Sequence, residues 1–231
     1  MVYSNGVNGS RRKASGETLP EKIDFKKSLD GYRSKAGEIR VLQVPAAQYL
    51  MIDGTGDPNT SDAYQQALQT PYPVAYKLKF ASKAQGRDYV VPPLEGLWWA
   101  EDMAVFTERR DKSKWSWTMM LMAPAWITEE DFASAVEAAQ EKKQLPCPER
   151  IRFETLLEGQ CVQTLHIGPY DDEAGILATM HHEFIPAQGL RMTGKHHEIY
   201  LGDPRKVAPE KLRTILRQPV EPLQQKEDTW N

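Results

Sequence analysis

One order of elements occurs twice along this chain, and that repeat limits its fold more than any other feature. Over roughly 40–120, and again over 160–217, the residues spell a strand, a glycine-containing break, a helix and then further strands. In the first pass Arg40-Val41-Leu42-Gln43-Val44 leads into Tyr49-Leu50-Met51-Ile52, which Gly54, Gly56 and Pro58 end. A helix then starts at Thr60-Ser61-Asp62, side chains that cap free amides, and carries Tyr64, Ala67 and Leu68 on one side. Pro71 and Pro73 interrupt it before helical spacing resumes from Val74 to Lys83, so two helical pieces with a kink are expected. In the second pass a strand from Cys161 to Ile167 breaks at Gly168-Pro169. A helix follows from about Asp172 to Gln188, carrying Ile176, Leu177, Met180 and Phe184, and a strand runs from His196 to Gly202. Ligand sites commonly lie at the junction of two such halves.

Between these landmarks the spacing predicts further elements. Val105-Phe106-Thr107 and Trp115 to Met122 form a hairpin with an aromatic face. Thr128 and Asp131 form a capping box, opening a helix with Phe132, Ala135, Val136 and Ala139 on its apolar stripe. A strand from Arg152 to Leu157 turns at Glu158-Gly159 and returns through Cys161. A short helix opens at Pro209, with Leu212, Ile215 and Leu216 facing inward. The polar start, residues 1–19, is expected to be a disordered tail and residues 221–231 a C-terminal tail. The ordered domain is then 20–220, with modules of about 40–145 and 150–217. The fold class is α+β.

Charge and composition exclude whole classes of partner. Twenty-nine basic against 32 acidic residues give a net charge of -3, without the electropositive footprint of a nucleic-acid binder. No apolar run approaches the roughly 18 residues of a membrane span, and the start MVYSNGVNGSRRK has no apolar signal-peptide core. Two cysteines, Cys147 and Cys161, make no disulfide framework and fit a reducing cytoplasm, and both are expected to be inert. All five histidines fall between His166 and His197, yet neither doublet has ligand spacing. His181-His182 are helical neighbours about 100° apart, and His196-His197 face opposite sides of a strand. No metal and no cofactor is expected, because HExxH, CxxC, Walker A, G-x-G-x-x-G and G-x-S-x-G patterns are all missing.

The aromatic strands carry the remaining chemistry. Alternation in Lys195-His196-His197-Glu198-Ile199-Tyr200-Leu201 places His196, Glu198 and Tyr200 on one face and His197, Ile199 and Leu201 on the other. If the second face packs on the helices, the first faces a cavity. There a carboxylate among rings would have its pKa raised and could serve as a general base or as counter-charge for a cation; equally, Glu198 could simply pair with a surface lysine. On the other aromatic strand Trp115, Trp117, Met119 and Leu121 share a face, suited either to an ordinary core or to a planar ligand. Two adjacent tryptophans cannot both point inward, so one of Trp98 and Trp99 is expected to meet solvent, a partner or a cavity.

Three stretches resemble the GyrI-like small-molecule-binding proteins: Leu94-Glu95-Gly96-Leu97-Trp98-Trp99, the run Asp111 to Met122, and His196 to Lys206 with Pro209-Glu210-Lys211-Leu212. His166-Ile167-Gly168-Pro169-Tyr170 is similar to that family's second-half signature. The resemblance implies two tandem strand-helix-strand-strand (SHS2-type) modules with pseudo-twofold symmetry and antiparallel sheets around a central ligand pocket. The stand-alone branch resembled here includes cyclopropanoid cyclopropyl hydrolases, which add water to the strained ring of DNA-alkylating natural products and so detoxify them. Other members bind amphipathic drugs as sensors or inhibit gyrase. The resemblance implies Glu198 as the acidic residue at the pocket centre, holding and deprotonating the attacking water. Tyr170 and Tyr200 would donate to the carbonyl conjugated with the ring, Trp98, Trp99, Trp117 and Met119 would sandwich a planar or amphipathic ligand, and Glu95 and His166 would complete the substrate-binding set. Pro71 and Pro73 depart from the smoother first helix expected of the family, which would loosen that pocket wall.

Overall fold

The computed structural model describes residues 22–101 and 111–223. The strands are β1 (Arg40–Val44), β2 (Ala47–Thr55), β3 (Leu94–Trp99), β4 (Ser116–Ala123), β5 (Arg152–Leu156), β6 (Gly159–Ile167), β7 (Leu190–Met192), β8 (His196–Tyr200) and β9 (Arg213–Pro222). They join in one antiparallel sheet in the order β1-β6-β9-β8-β3-β4-β2-β5, with β7 added on β9. A single sheet thus replaces the separate sheets expected, and the fold is α+β.

The two short links between strands decide the shape of that sheet. Only Pro45-Ala46 joins β1 to β2, and only Leu157-Glu158 joins β5 to β6, although each pair stands at opposite ends of the strand order. Two residues span roughly 7–10 Å, so the ends of the sheet must come together and the sheet curls. The links cross at one place, where Val44 pairs with Gly159 and Ala47 with Leu156. This overturns the expected Arg152-to-Ile167 hairpin. β5 and β6 are consecutive, but β5 pairs with β2, whereas β6 pairs with β1 and β9. The expected 105–107 hairpin partner lies outside the described residues; β4 pairs with β2 and β3.

Helices cover one face of the sheet. Ser61 caps α2 (Asp62–Gln69) through its hydroxyl to the Tyr64 amide, and Pro71 starts α3 (Pro71–Ala84) at the position where a missing amide costs nothing. The kink expected at the prolines is therefore a junction of two helices. Thr128 and Asp131 close the capping box of α4 (Glu129–Lys142). Ala67, Val74, Leu78, Ala135 and Ala139 from these helices bury Leu50, Ile52, Trp117, Met119 and Leu121 of β2 and β4. On the second half α5 (Ala174–Ala178) widens into a π-helical turn, Thr179–Phe184, before α6 (Ile185–Ala187). Pro186 explains this. It has no amide for the His182 carbonyl, and its ring would crowd that oxygen, so the Ile185 amide reaches back to Met180 instead. Met180 and Ile185 pack on Val162, Leu216 and Val220.

The concave face holds a second core of Tyr32, Tyr49, Met51, Leu97, Met120, Ile199 and Ile215, covered by α1 (Phe25–Ser28) and its neighbour Leu29. The short helix expected after Pro209 is only a 3₁₀ turn, Pro209–Lys211, and residues 213–222 form β9. Leu212, Ile215 and Leu216 are buried as expected, but Ile215 and Leu216 face opposite sides of a strand that lies between β6 and β8. Among the described residues no helix is long and apolar enough to cross a membrane.

Candidate functional site

At the middle of the sheet β8 lies beside β3, and their register sets a site on the helix-bearing face. Gly96 stands opposite Glu198, Trp98 opposite His196, and Leu94 opposite Tyr200. Gly96 is required there. A Cβ would come within 2.9 Å of Trp98 Nε1 and 3.0 Å of the Tyr200 hydroxyl, so the bare glycine makes the room in which these two meet. Trp98 Nε1 donates to the Tyr200 hydroxyl at 3.0 Å, and that hydroxyl donates to Glu198 Oε2 at 2.8 Å. Tyr200 has one proton, and it goes to the carboxylate. Glu198 Oε1 accepts no hydrogen bond among the described residues, and the side chain keeps 16% of its surface in solvent.

Aromatic rings gather near this carboxylate. Tyr64 of α2 stands edge-on to Trp117 at 5.1 Å and lies 6.0 Å from Trp98; Trp98 meets Trp115 at 5.7 Å, and Tyr170 meets Tyr200 edge-on at 5.6 Å. Burial and the nearby Glu198 charge push the Tyr64 and Tyr200 hydroxyls well above the ordinary phenol range, and Tyr170 up to about 12. All three remain protonated at neutral pH. Tyr170 is the most exposed at 37%, and its hydroxyl has no partner among the described residues.

The far wall comes from the π-helical turn. His181 stands edge-on to His196 at 6.0 Å, and His196 Nε2 lies 3.6 Å from Glu198 Oε1. Burial, with the neighbouring His196 and His182, lowers His181 to about 4, so it is uncharged near neutral pH. Among the described residues no group of three His, Cys, Asp or Glu side chains is placed to hold a metal ion.

The residues expected to converge are split between two faces. Glu198, Tyr200, Tyr170 and Trp98 share the cleft. Trp117 and Met119 lie on the same face beneath it, fully buried and out of a ligand's reach unless the rings above move. His166 is two strands from Tyr200, across Thr214, with its Nε2 2.9 Å from the Pro169 carbonyl. Trp99 and Glu95 are on the concave face, because strand alternation sends each neighbour of Trp98 and Gly96 the other way. The face assignment of β8 stands, but its outcome is reversed: Glu198 and Tyr200 lie under the helices, and His197 and Ile199 line the concave core.

Glu95 there belongs to a buried ionic cluster. His197 binds Glu95 Oε2 through Nε2 and Glu158 Oε1 through Nδ1, each at 2.9 Å, Tyr32 donates to Glu95 at 2.5 Å, and Arg217 donates to Glu158 at 2.7 Å. Burial alone would lower His197, but the two carboxylates hold it above the ordinary imidazole value. Lys195 lies over Trp99, 3.2 Å from the ring centre, at the rim of a cavity of about 390 Å³ lined by Leu97, Thr118, Arg152 and Leu157. Glu198 is not among the residues that line this cavity.

Three contributors escaped the sequence reading. Tyr64 showed only as an apolar helix position, Trp115 as part of an aromatic strand, and Gly96 only as one residue of the Leu94 to Trp99 motif. A glycine inside a strand pattern is the signal that could have marked the spot.

Similar proteins bear on this geometry. A conserved protein from Listeria innocua, described as uncharacterized, is 42% identical with a TM-score of 0.79, the match covering 87% of this chain and 100% of it. A Listeria innocua hydrolase is 41% identical with a TM-score of 0.77 over the same shares. The EcmrR C-terminal domain, at 14% identity and a TM-score of 0.50 over 80% of this chain and 98% of that one, shares the fold alone. No curated protein matches. The GyrI-like small molecule binding domain matches residues 37–221, a span that contains every residue of the cleft, and the chain belongs to that family.

Proposed function

We propose that the protein is a cofactor-free hydrolase, adding water to the electrophilic cyclopropane of DNA-alkylating cyclopropanoid natural products and so detoxifying them in the cytoplasm. The observation that carries this reading is the division of labour within Glu198. Oε2 is tied to Tyr200, and Oε1 accepts no hydrogen bond among the described residues, with the rings of Tyr64 and Tyr170 close enough to feel its charge. The relatives at about 40% identity that are described as hydrolases support it.

A planar substrate stacks against Trp98, Trp115 and Tyr64. Glu198 Oε1 takes a proton from water as the water oxygen bonds to a ring carbon. The ring C–C bond breaks, and its electron pair passes into the conjugated carbonyl as a phenolate, which takes a proton from solvent while Glu198 returns its own proton to solvent. Tyr170, whose hydroxyl has no partner among the described residues, donates a hydrogen bond to the oxygen on which that charge gathers. Tyr200, whose proton is committed to Glu198, positions the base. The site lies where two halves meet. Read from either end, the strand order shows a nine-residue strand, β2 or β6, followed in the chain by helices and then by β3-β4 or β8-β9, which supports tandem strand-helix-strand-strand modules related by a pseudo-twofold axis.

The same rings and carboxylate suit a protein that only sequesters amphipathic, often cationic drugs. Incubation of the pure protein with a spirocyclopropyl alkylator, followed through loss of its conjugated chromophore, separates the two. Catalytic turnover is expected, and Glu198→Gln should abolish it while binding persists. Stoichiometric binding without ring-opened product rejects the hydrolase and leaves the sequestering protein.

A further inference from the structure

The proposed ring opening leaves two histidines of the cleft wall, His181 and His196, without a task. His196 is nine-tenths buried, and neither of its ring nitrogens meets a hydrogen-bond partner among the described residues. A buried polar group left unpaired is costly, and nearly all buried polar atoms in folded proteins are paired. The direction of the imidazole accounts for the unpaired Nε2. Its Nε2 lies 3.6 Å from Glu198 Oε1, beyond a direct hydrogen bond but within reach of a shared water. Trp98 across the strand pair and His181 against its ring hold it in place.

We propose that His196 Nε2 and Glu198 Oε1 hold one water molecule between them, and that this water is the nucleophile of the ring opening; the second half of this inference rests on the hydrolase reading. One O–H of the water points at Oε1 and is given up to it during attack. The other donates to the Nε2 lone pair and stays on oxygen, becoming the hydroxyl of the product. With both protons so directed, a lone pair of the water faces the stacked ligand. His196 therefore aligns the nucleophile but does not take its proton, and uncharged His181 behind it adds no competing cation. The reaction remains a simple addition of water, with nothing oxidised or reduced.

Two measurements decide this. A crystal structure of the unliganded protein, at a resolution that places waters, should show an ordered water within about 3.2 Å of both Glu198 Oε1 and His196 Nε2. No water there, or one bound to Glu198 alone, overturns the proposal. In turnover of the spirocyclopropyl alkylator, His196→Phe should lower kcat on the order of 10²-fold with KM nearly unchanged, while His196→Gln, whose amide can reach the same water, should recover much of the loss. Equal kcat in wild type and His196→Phe removes His196 from the reaction. Absence of turnover in the wild type rejects the hydrolase reading and the water's role as nucleophile together, and the crystal structure still judges whether the pair holds a water.

Discussion

Replacing Glu158 by glutamine tests whether the buried cluster on the concave face holds the sheet by charge or only by shape. Glu158 sits in the two-residue link between β5 and β6 with 3% of its side chain exposed, and it reaches His197 on β8 and Arg217 on β9. Burial would raise its pKa. His197 and Arg217 outweigh burial and hold it at about 2, against 4.5 for an ordinary glutamate. At about 1.4 kcal/mol per pH unit, that separation is worth about 3 kcal/mol of folding stability. A carboxylate depressed in the folded state contributes fully above its unfolded pKa and loses its contribution as pH falls through the folded one. The window is therefore pH 4.5 down to about 2. Urea denaturation read by tryptophan fluorescence, repeated from pH 2 to 7, should show the variant about 3 kcal/mol less stable at pH 7, with the two curves converging toward pH 2. A gap of the same size at every pH would mean that the glutamine merely packs badly. No gap at pH 7 would mean that desolvation cancels the ion pairs, and either result refutes the electrostatic account.

Gly96→Ala should destabilise the chain by roughly 2–4 kcal/mol, because its Cβ meets Trp98 and Tyr200 at 2.9–3.0 Å and must part their hydrogen bond; a shift below about 0.5 kcal/mol in the same denaturation assay would show that the rings yield freely. Tyr200→Phe removes the hydrogen bond to Glu198, worth about 1.5–3 kcal/mol, and should lower kcat roughly ten- to a hundredfold in the alkylator assay, where an unchanged kcat would release Tyr200 from its positioning role. Cys161 is fully buried, and burial pushes its thiol up to about 12. The folded protein at pH 8 should therefore resist alkylation there by iodoacetamide over hours, and labelling at the rate of a free thiol would contradict the placement of β6.

Local patterning went far in this chain. Alternation placed His196, Glu198 and Tyr200 together and His197 apart from them, and capping residues marked the starts of α2 and α4. Strand alternation and the family's motifs singled out Glu198 as a candidate. Pairing between strands was beyond local patterning, since β5 and β6 look like a hairpin from their two-residue turn yet stand at opposite ends of the order. So was the identity of the buried face. Period two assigns residues to sides, but which side the helices cover depends on long-range packing, and that choice put Trp99 and Glu95 outside the cleft and Tyr64 within it. The sequence by itself determined which side chains share a face and where the chain turns, because those follow from backbone geometry over a few residues. The tertiary structure alone decided that Glu198 keeps one oxygen tied and one open, because Gly96, Trp98, Tyr200 and His196 meet there only once the distant strands β3 and β8 have paired.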